Sequence, residues 1–391
     1  MRRALVTGLG VVSPIGVGID LFWQALCSGR DRFTAIPPVY PGMKDGCITA
    51  RLSVADRAQV QRDLSDLPPT MPDSSAFAVH AARQAIRDAG LVPGDAALRD
   101  ALVCIGNNEA EADILDEMVE ERRERWGRYV YTSHAIAEAV AGAIGSSGPA
   151  YMVHNTCASG NVALEVALRM LRSGAIKTAV IGGGDVFAKK VWTGFHTLNA
   201  LGPERCRPFS SKRRFITIAE GGAFLVLQAH DSVQSNSNAY AELLAAASNN
   251  DALHPTNPDL HGVTECHLAV LQQAGLCGDQ VDAIFAHGTG TKANDAIEAA
   301  IFAEHYPRAS VTAIKGTLGH LMATAGAIGA VASCLALKHQ CLPPTQISDA
   351  EFEFDFDLVT GAAREQALAI VQNNSFGFGG NNAITLFGKI A

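Results

Sequence analysis

Four short stretches of this chain combine residue types with reactive potential. The first is His154-Asn-Thr-Cys157-Ala-Ser-Gly160. The run before it reads as a strand over Tyr151 to Asn155, and Asn161 to Leu171 reads as a helix, so Cys157 falls at the corner. At a helix N-terminus, unpaired N–H groups and the positive end of the dipole favour thiolate over thiol. The corner also offers a backbone N–H to a thioester oxyanion, as nucleophile elbows do. A buried structural cysteine is the plain alternative.

The second stretch, Ala286-His287-Gly-Thr289-Gly-Thr291-Lys-Ala-Asn-Asp295-Ala-Ile-Glu298, puts a histidine at the end of an apolar strand. Sites in α/β proteins gather at that edge. The spacing is not that of a phosphate-binding P-loop, and a turn with a satisfied histidine explains the loop equally well. The third, Ile314-Lys315-Gly-Thr-Leu-Gly-His320, places His320 at or near a helix N-terminus. There the imidazole is disfavoured as a cation, and a neutral ring can donate to a developing enolate. Lys315 is placed to pair with Glu298 or Asp295 and so lock the two loops. The fourth, Asn373-Asn374-Ser-Phe376-Gly-Phe378-Gly379-Gly380-Asn381-Asn382, is too irregular for a phosphate cradle, but its N–H groups could approach a carbonyl closely.

The elements that must position these residues alternate between glycine-punctuated apolar strands and Ala-rich helices, the pattern of a mostly parallel buried sheet. Two internal echoes stand out. Helix Phe77 to Ala89 and strand Ala101 to Ile105 are repeated by helix Thr264 to Ala274 and strand Asp282 to Ala286. The strand and helix around Cys157 are repeated by Val311 to Ile314 and the helix after His320. A duplicated α/β architecture follows, divided as 1–235 and 236–391 through the polar stretch Asp231 to Asn238. Glu109 to Arg128, with Glu120-Glu-Arg-Arg-Glu-Arg125, reads as a charged helix facing either solvent or a partner.

Bulk properties narrow the classes. With 391 residues and 48% apolar content the chain can bury a large core. A net charge of −8 argues against nucleic-acid binding. Nine cysteines without a Cys-x-x-Cys pair suit reduced cytosolic thiols, neither a disulfide framework nor a metal site. Gly8, Gly10 and Pro14 break any leader-like apolar helix, and the uncharged run Leu321 to Leu337 reads as a buried helix and not as a membrane span. A soluble, cytoplasmic protein is expected.

Together, Thr-Cys157-Ala-Ser-Gly, His287-Gly-Thr-Gly-Thr, Lys315-Gly-x-x-Gly-His320 and Asn374-Ser-Phe-Gly-Phe-Gly-Gly380 resemble, in order and spacing, the β-ketoacyl-acyl carrier protein synthases. Val6 to Gly16 and Arg207-Pro-Phe…Glu220-Gly221 add to the likeness, which spans the chain. The resemblance implies a thiolase fold, a duplicated αβαβα five-layer sandwich, normally dimeric. It implies that Cys157 carries the acyl group, with His287 and His320 holding the malonyl thioester carbonyl. Thr289, Thr291, Phe376 and Gly379 would contact the substrate, whose phosphopantetheine arm belongs to an acyl carrier protein. Lys315, Glu298 and Asp295 would support the site, while Phe378 would supply an oxyanion N–H and a gate. No metal or resident cofactor is implied.

A homodimer, or a heterodimer with a chain-length-factor-like paralogue, is expected. Lys292, Asn381, Phe215, Ala219 and Asn199 depart from the family pattern and point to a specialised pathway such as a polyene or other polyketide. The basic run Arg205, Arg207, Lys212, Arg213 and Arg214 is the candidate landing patch for an acidic carrier protein. Two rival readings remain: a catalytically silent chain-length-determining subunit, which generally lacks the cysteine, and a nucleotide-dependent reductase suggested by Val6-Thr-Gly-Leu-Gly. The reductase reading needs a helical Tyr-x-x-x-Lys, and Tyr40-Pro-Gly-Met-Lys44 cannot be helical.

Overall fold

The computed structural model describes residues 2–38, 46–68, 70–119, 132–233 and 239–390. The charged segment 120–125, the Tyr40 to Lys44 motif and the core of the polar junction, 234–238, lie outside the described residues.

Among the described residues, ten strands form one sheet: β1 (Ala4–Ser13), β2 (Leu102–Gly106), β3 (Ala150–Val153), β4 (Thr178–Asp185), β5 (Gly221–Ala229), β6 (Ala241–Asn250), β7 (Ala283–Phe285), β8 (Ser310–Thr312), β9 (Ile370–Gly377) and β10 (Asn381–Gly388). Their spatial order is β8-β7-β9-β10-β6-β1-β5-β4-β2-β3, and the two-residue strand Gly16–Val17 adds an eleventh member beside β1. From the centre outward the two halves read 1-5-4-2-3 and 6-10-9-7-8, the same order offset by five. The sequence echoes therefore mark a repeated topology. The halves meet where β1 and β6 pair antiparallel, Leu5 opposite Glu242.

The sheet is mixed, not mostly parallel as expected. Pairs β2–β3, β2–β4, β7–β8 and β7–β9 are parallel. Pairs β1–β5, β4–β5, β6–β10 and β9–β10 are antiparallel. A strand covered on both faces is apolar throughout whichever way its neighbour runs, so periodicity carries no direction.

Among the described helices, the longest build the layers: α1 (Asp73–Asp88), α2 (Ser159–Ser173), α3 (Leu260–Ala274), α4 (Lys292–His305) and α5 (Ala325–His339), with the shorter Ala135–Ile144 beside α1. Helices α2 and α5 share one core with strands of both halves. Helix α1 packs outside the first half and α3 with α4 outside the second, completing the αβαβα sandwich. Every residue from Ala325 to Leu337 is buried. That explains why α5 is apolar all round. It overlaps Met322–His339, the one described helix apolar and long enough to cross a membrane, and that window is buried inside the fold.

The glycines of β1 are there for close packing. A Cβ on Gly8 would lie 2.1 Å from the Ala85 carbonyl oxygen, and one on Gly10 would lie 1.9 Å from that of Ala81. Helix α1 thus lies directly on the strand. The Val6-Thr-Gly-Leu-Gly run sits mid-strand between β5 and β6. It is not at the strand-to-helix crevice where a dinucleotide would bind.

Candidate active site

The chain leaves β3 and turns at Thr156, whose φ is +49°, into a 3-10 turn over Thr156–Ala158 that runs on into α2. Positive φ at a β-branched residue is strained. The turn is held by the glycine-rich loop at the end of β9. Ser375 Oγ donates to the Cys157 carbonyl at 2.7 Å, and Thr156 Oγ1 lies 3.1 Å from the Phe378 carbonyl. Gly377 must be glycine here, because a Cβ would fall 1.8 Å from Thr156 Oγ1 and 2.9 Å from the Cys157 nitrogen. Asn381 accepts from Asn155 (3.2 Å) and Asn250 (3.0 Å) and donates to the Phe378 carbonyl (2.9 Å). The Asn381 departure thus ties the cysteine turn to the loop.

Cys157, His287 and His320 line one cavity of about 80 Å³, together with Thr289, Thr291, Phe376 and Phe378. The two imidazoles meet edge to face with ring centroids 5.4 Å apart. The Met322 N–H donates to Nδ1 of His320 at 3.1 Å, which leaves the ring hydrogen on Nε2. The Lys315 ammonium lies 3.3 Å from Nδ1 of His287 and also donates to the His287 carbonyl. An ammonium can only donate, so His287 also carries its hydrogen on Nε2.

Burial, with Lys315 as the nearby positive charge, holds both rings well below the usual histidine range. They are therefore neutral donors at neutral pH. For His320 the direction is as expected, but burial is the main cause. The ring precedes the 3-10 turn Met322–Thr324 and not the first turn of α5.

Two expectations are corrected. For Cys157 the direction runs against the one expected of a helix terminus: burial pushes its thiol up to about 12, with Lys315 pulling the other way. Inside the cavity wall, 8% exposed, the sulfur loses the hydration that its charged form needs, and the nearby Lys315 charge does not offset that loss. Lys315 is also not hydrogen-bonded to Glu298 or Asp295, since its bonds go to His287. Glu298 instead accepts from the N–H groups of His287 (2.8 Å) and Gly288 (2.6 Å) and from Asn294. Asp295 accepts from the N–H groups of Phe209 (2.8 Å) and Gly290 (3.3 Å). Both carboxylates sit on the inward face of α4, and burial raises both, Asp295 to about 7.

Thr289 and Thr291 line the cavity with their hydroxyls 3.0 Å apart. Phe376 lies against His287 at 5.7 Å, and Phe378 stacks on Phe195 at 5.5 Å. Gly379 is outside the lining: its N–H donates to the Pro255 carbonyl (2.8 Å), and its carbonyl accepts from Asn250 (2.8 Å). Gly379 takes a positive φ of +76°, the left-handed region that favours glycine.

The basic run is largely neutralised by the chain's own carboxylates. Arg205 pairs with Asp31, Arg207 and Lys212 with Glu351, and Arg213 with Glu353. Arg214 lies over the Phe215 ring at 4.7 Å.

Asp185, at the end of β4, escaped the sequence reading. It accepts from the backbone and hydroxyl of Thr324 at 2.8 and 2.6 Å, and burial raises it to about 7. It anchors the turn after His320. The second echo pointed only to the turn that Asp185 anchors: it aligns Thr156-Cys157 with Met322-Ala323, and Met322 also has a positive φ, +46°.

A cysteine and two neutral imidazoles on a duplicated five-layer scaffold define a carbon–carbon bond-forming class of acyltransferase. The chain belongs to the beta-ketoacyl synthase family: the N-terminal domain of that family matches residues 1–232 and the C-terminal domain residues 240–348. It is 30% identical to a nodulation protein E of Rhizobium meliloti, over the full length of both. It is also 30% identical to 3-oxoacyl-[acyl-carrier-protein] synthase 2 of Coxiella burnetii, over 100% of this chain and 99% of the other. Among solved structures, the ishigamide ketosynthase/chain length factor superposes with a TM-score of 0.90 at 31% identity, covering both chains fully.

Proposed function

We propose that the chain condenses an acyl group, held as a thioester on Cys157, with a malonyl unit on an acyl carrier protein, giving a 3-oxoacyl-acyl carrier protein. The observation that carries this is the meeting in one cavity of the Cys157 thiol with two imidazoles, both of the Nε2–H tautomer.

In the first half-reaction the Cys157 sulfur attacks the thioester of the acyl carrier protein. The carrier's pantetheine thiol leaves with the proton the cysteine gives up. Because the resting thiol is protonated, ionisation belongs to the step in which the leaving thiolate accepts that proton. In the second, malonyl-carrier protein loses carbon dioxide, and the Nε2–H groups of His287 and His320 stabilise the enolate oxygen. Neutral donors suit this role, since an imidazolium would protonate the carbanion. The carbanion attacks the acyl carbonyl, Cys157 departs as thiolate, and a proton restores the thiol.

Thr289 and Thr291 line the path of the pantetheine arm, and Phe378 gates the acyl side with its N–H and that of Cys157 facing the oxyanion. Lys315 and Glu298 hold His287, and Asp295 holds the adjoining loop. Every step runs on this chain's side chains and backbone N–H groups and on the carrier's arm, in a cytoplasmic enzyme of fatty-acid or type II polyketide synthesis. The Coxiella relative's name supports the carrier protein as partner.

The likeness to a ketosynthase/chain length factor supports pairing with a second copy or a paralogue. So does the sheet. The β8 edge is covered by the 357–359 segment, through Val311 N–H to Asp357 and Val359 N–H to Val311, whereas β3 has no such cover among the described residues. Within such a pair, the intact thiol and imidazoles support this chain as the active half.

The test is a condensation assay with acyl- and malonyl-carrier proteins. Wild type forms the 3-oxoacyl product, His287→Ala and His320→Ala lose about a hundredfold or more in kcat, and Cys157→Ala forms none. Product from Cys157→Ala refutes the mechanism.

A further inference from the structure

A chain of buried polar groups runs behind the cavity to His287. The Tyr306 hydroxyl donates to Oε1 of Gln372 (3.0 Å), and Nε2 of Gln372 donates to Oδ1 of Asn374 (2.8 Å). Nδ2 of Asn374 then donates to Oε1 of Glu298 (3.3 Å), the oxygen that accepts the His287 N–H at 2.8 Å. At the far end, Nδ1 of His267 lies 2.8 Å from the Tyr306 hydroxyl and 3.2 Å from Nε2 of Gln372. From the Tyr306 hydroxyl to Glu298 the bonds all donate in one direction, and the His267 ring closes the far end through Nδ1, either donating to the Tyr306 hydroxyl or accepting from Nε2 of Gln372. None of these side chains is more than 3% exposed.

A second contact reaches the same place. The His267 ring packs 6.0 Å from Phe376, which in turn packs 5.7 Å from His287.

Burying an amide between two strands is costly unless its polar atoms are satisfied. An apolar residue at 372 would fill that space without needing partners. This chain instead places there a glutamine whose oxygen and nitrogen are both engaged, and links it to a helix α3 histidine that does not itself line the cavity. The ring stays uncharged, since burial pulls His267 down to about 3. The chain of bonds is therefore a fixed set of dipoles and not a proton path.

We propose that His267, Tyr306 and Gln372 are positioning residues for the condensation step, acting through Asn374 and Glu298 to set where His287 presents its Nε2–H. The inference rests on the reading of His287 as an enolate donor. A displaced donor weakens stabilisation of a charge that exists only in the transition state, so the effect falls on kcat. Acyl transfer to Cys157 does not use that donor and is spared.

The experiment compares Gln372→Met, which keeps the volume and removes the hydrogen bonds, with Tyr306→Phe and the double variant. Cys157 acylation is read by intact mass and condensation by kcat and KM. Each single variant is expected to lower kcat about ten- to a hundredfold while leaving acylation and the malonyl-carrier KM unchanged. The double variant is expected to be no worse than the more severe single. Gln372→Glu supplies a readout that a purely structural role would not move. Its protonated carboxyl can donate to Asn374, so its kcat relative to wild type should climb as pH falls, while that of Gln372→Met stays flat.

Unchanged kcat in both single variants, or kcat and acylation falling together in step with Tm, overturns the proposal. Condensation by Cys157→Ala, run alongside, would sink the underlying reading instead.

Discussion

Burial pushes the Cys157 thiol up, and the charge of Lys315 does not offset it. Its raised pKa has a directional consequence. A thiol that titrates near 12 has a thiolate fraction that grows about tenfold per pH unit throughout the working range. Alkylation of Cys157 by iodoacetamide, followed by peptide mass, should therefore accelerate log-linearly from about pH 6 to about pH 9 without levelling off. A plateau near neutrality would mean a stabilised resting thiolate. That Cys157, His287 and His320 meet in one cavity was legible from four ordered motifs. The protonation states were not. They depend on Met322 and Lys315 reaching particular ring nitrogens and on how deeply each group is buried, and a linear pattern does not encode those contacts. Gly379 shows the converse: a motif residue whose backbone bonds go to Pro255 and Asn250 and not into the cavity lining.

At the scale of elements, the two turns that start α2 and α5 are repeats of one device. Thr156 and Met322 both take positive φ, and the helices begin back to back. A Cβ on Gly160 would lie 2.5 Å from the Ala327 nitrogen, and one on Gly326 would lie 2.6 Å from the Asn161 nitrogen. Both obstacles are backbone, so neither can rotate away. Gly160→Ala should cost about 1–3 kcal/mol or more through overpacking, visible as a lowered midpoint in urea. An unchanged midpoint would show that the central layer is looser than this contact implies. The echoes in the sequence revealed the duplication, since both copies kept the Ala-Gly-Leu helix ends and the small residues after the turns. Strand direction was hidden, because β5 and β10 are as apolar as the parallel strands beside them. The α3 helix begins at Leu260, one turn before the first predicted residue, because Asp259 caps it by accepting from the Gly262 N–H.

At the scale of the whole molecule, the repeat places the ends of β3, β7 and β9 and the segment after β8 around one cavity. The first half thereby contributes the sulfur and the second both imidazoles. Neither half holds the full set, so the chemistry depends on the sandwich closing as one body. The central claim is that an acyl group passes through Cys157, and it can be weighed directly. The intact protein, incubated with acyl-carrier proteins of several chain lengths, should gain the mass of one acyl group, mapped to the peptide containing Cys157. The adduct should vanish when malonyl-carrier protein is added and should never form on Cys157→Ala. An adduct of the same mass on that variant would contradict the account.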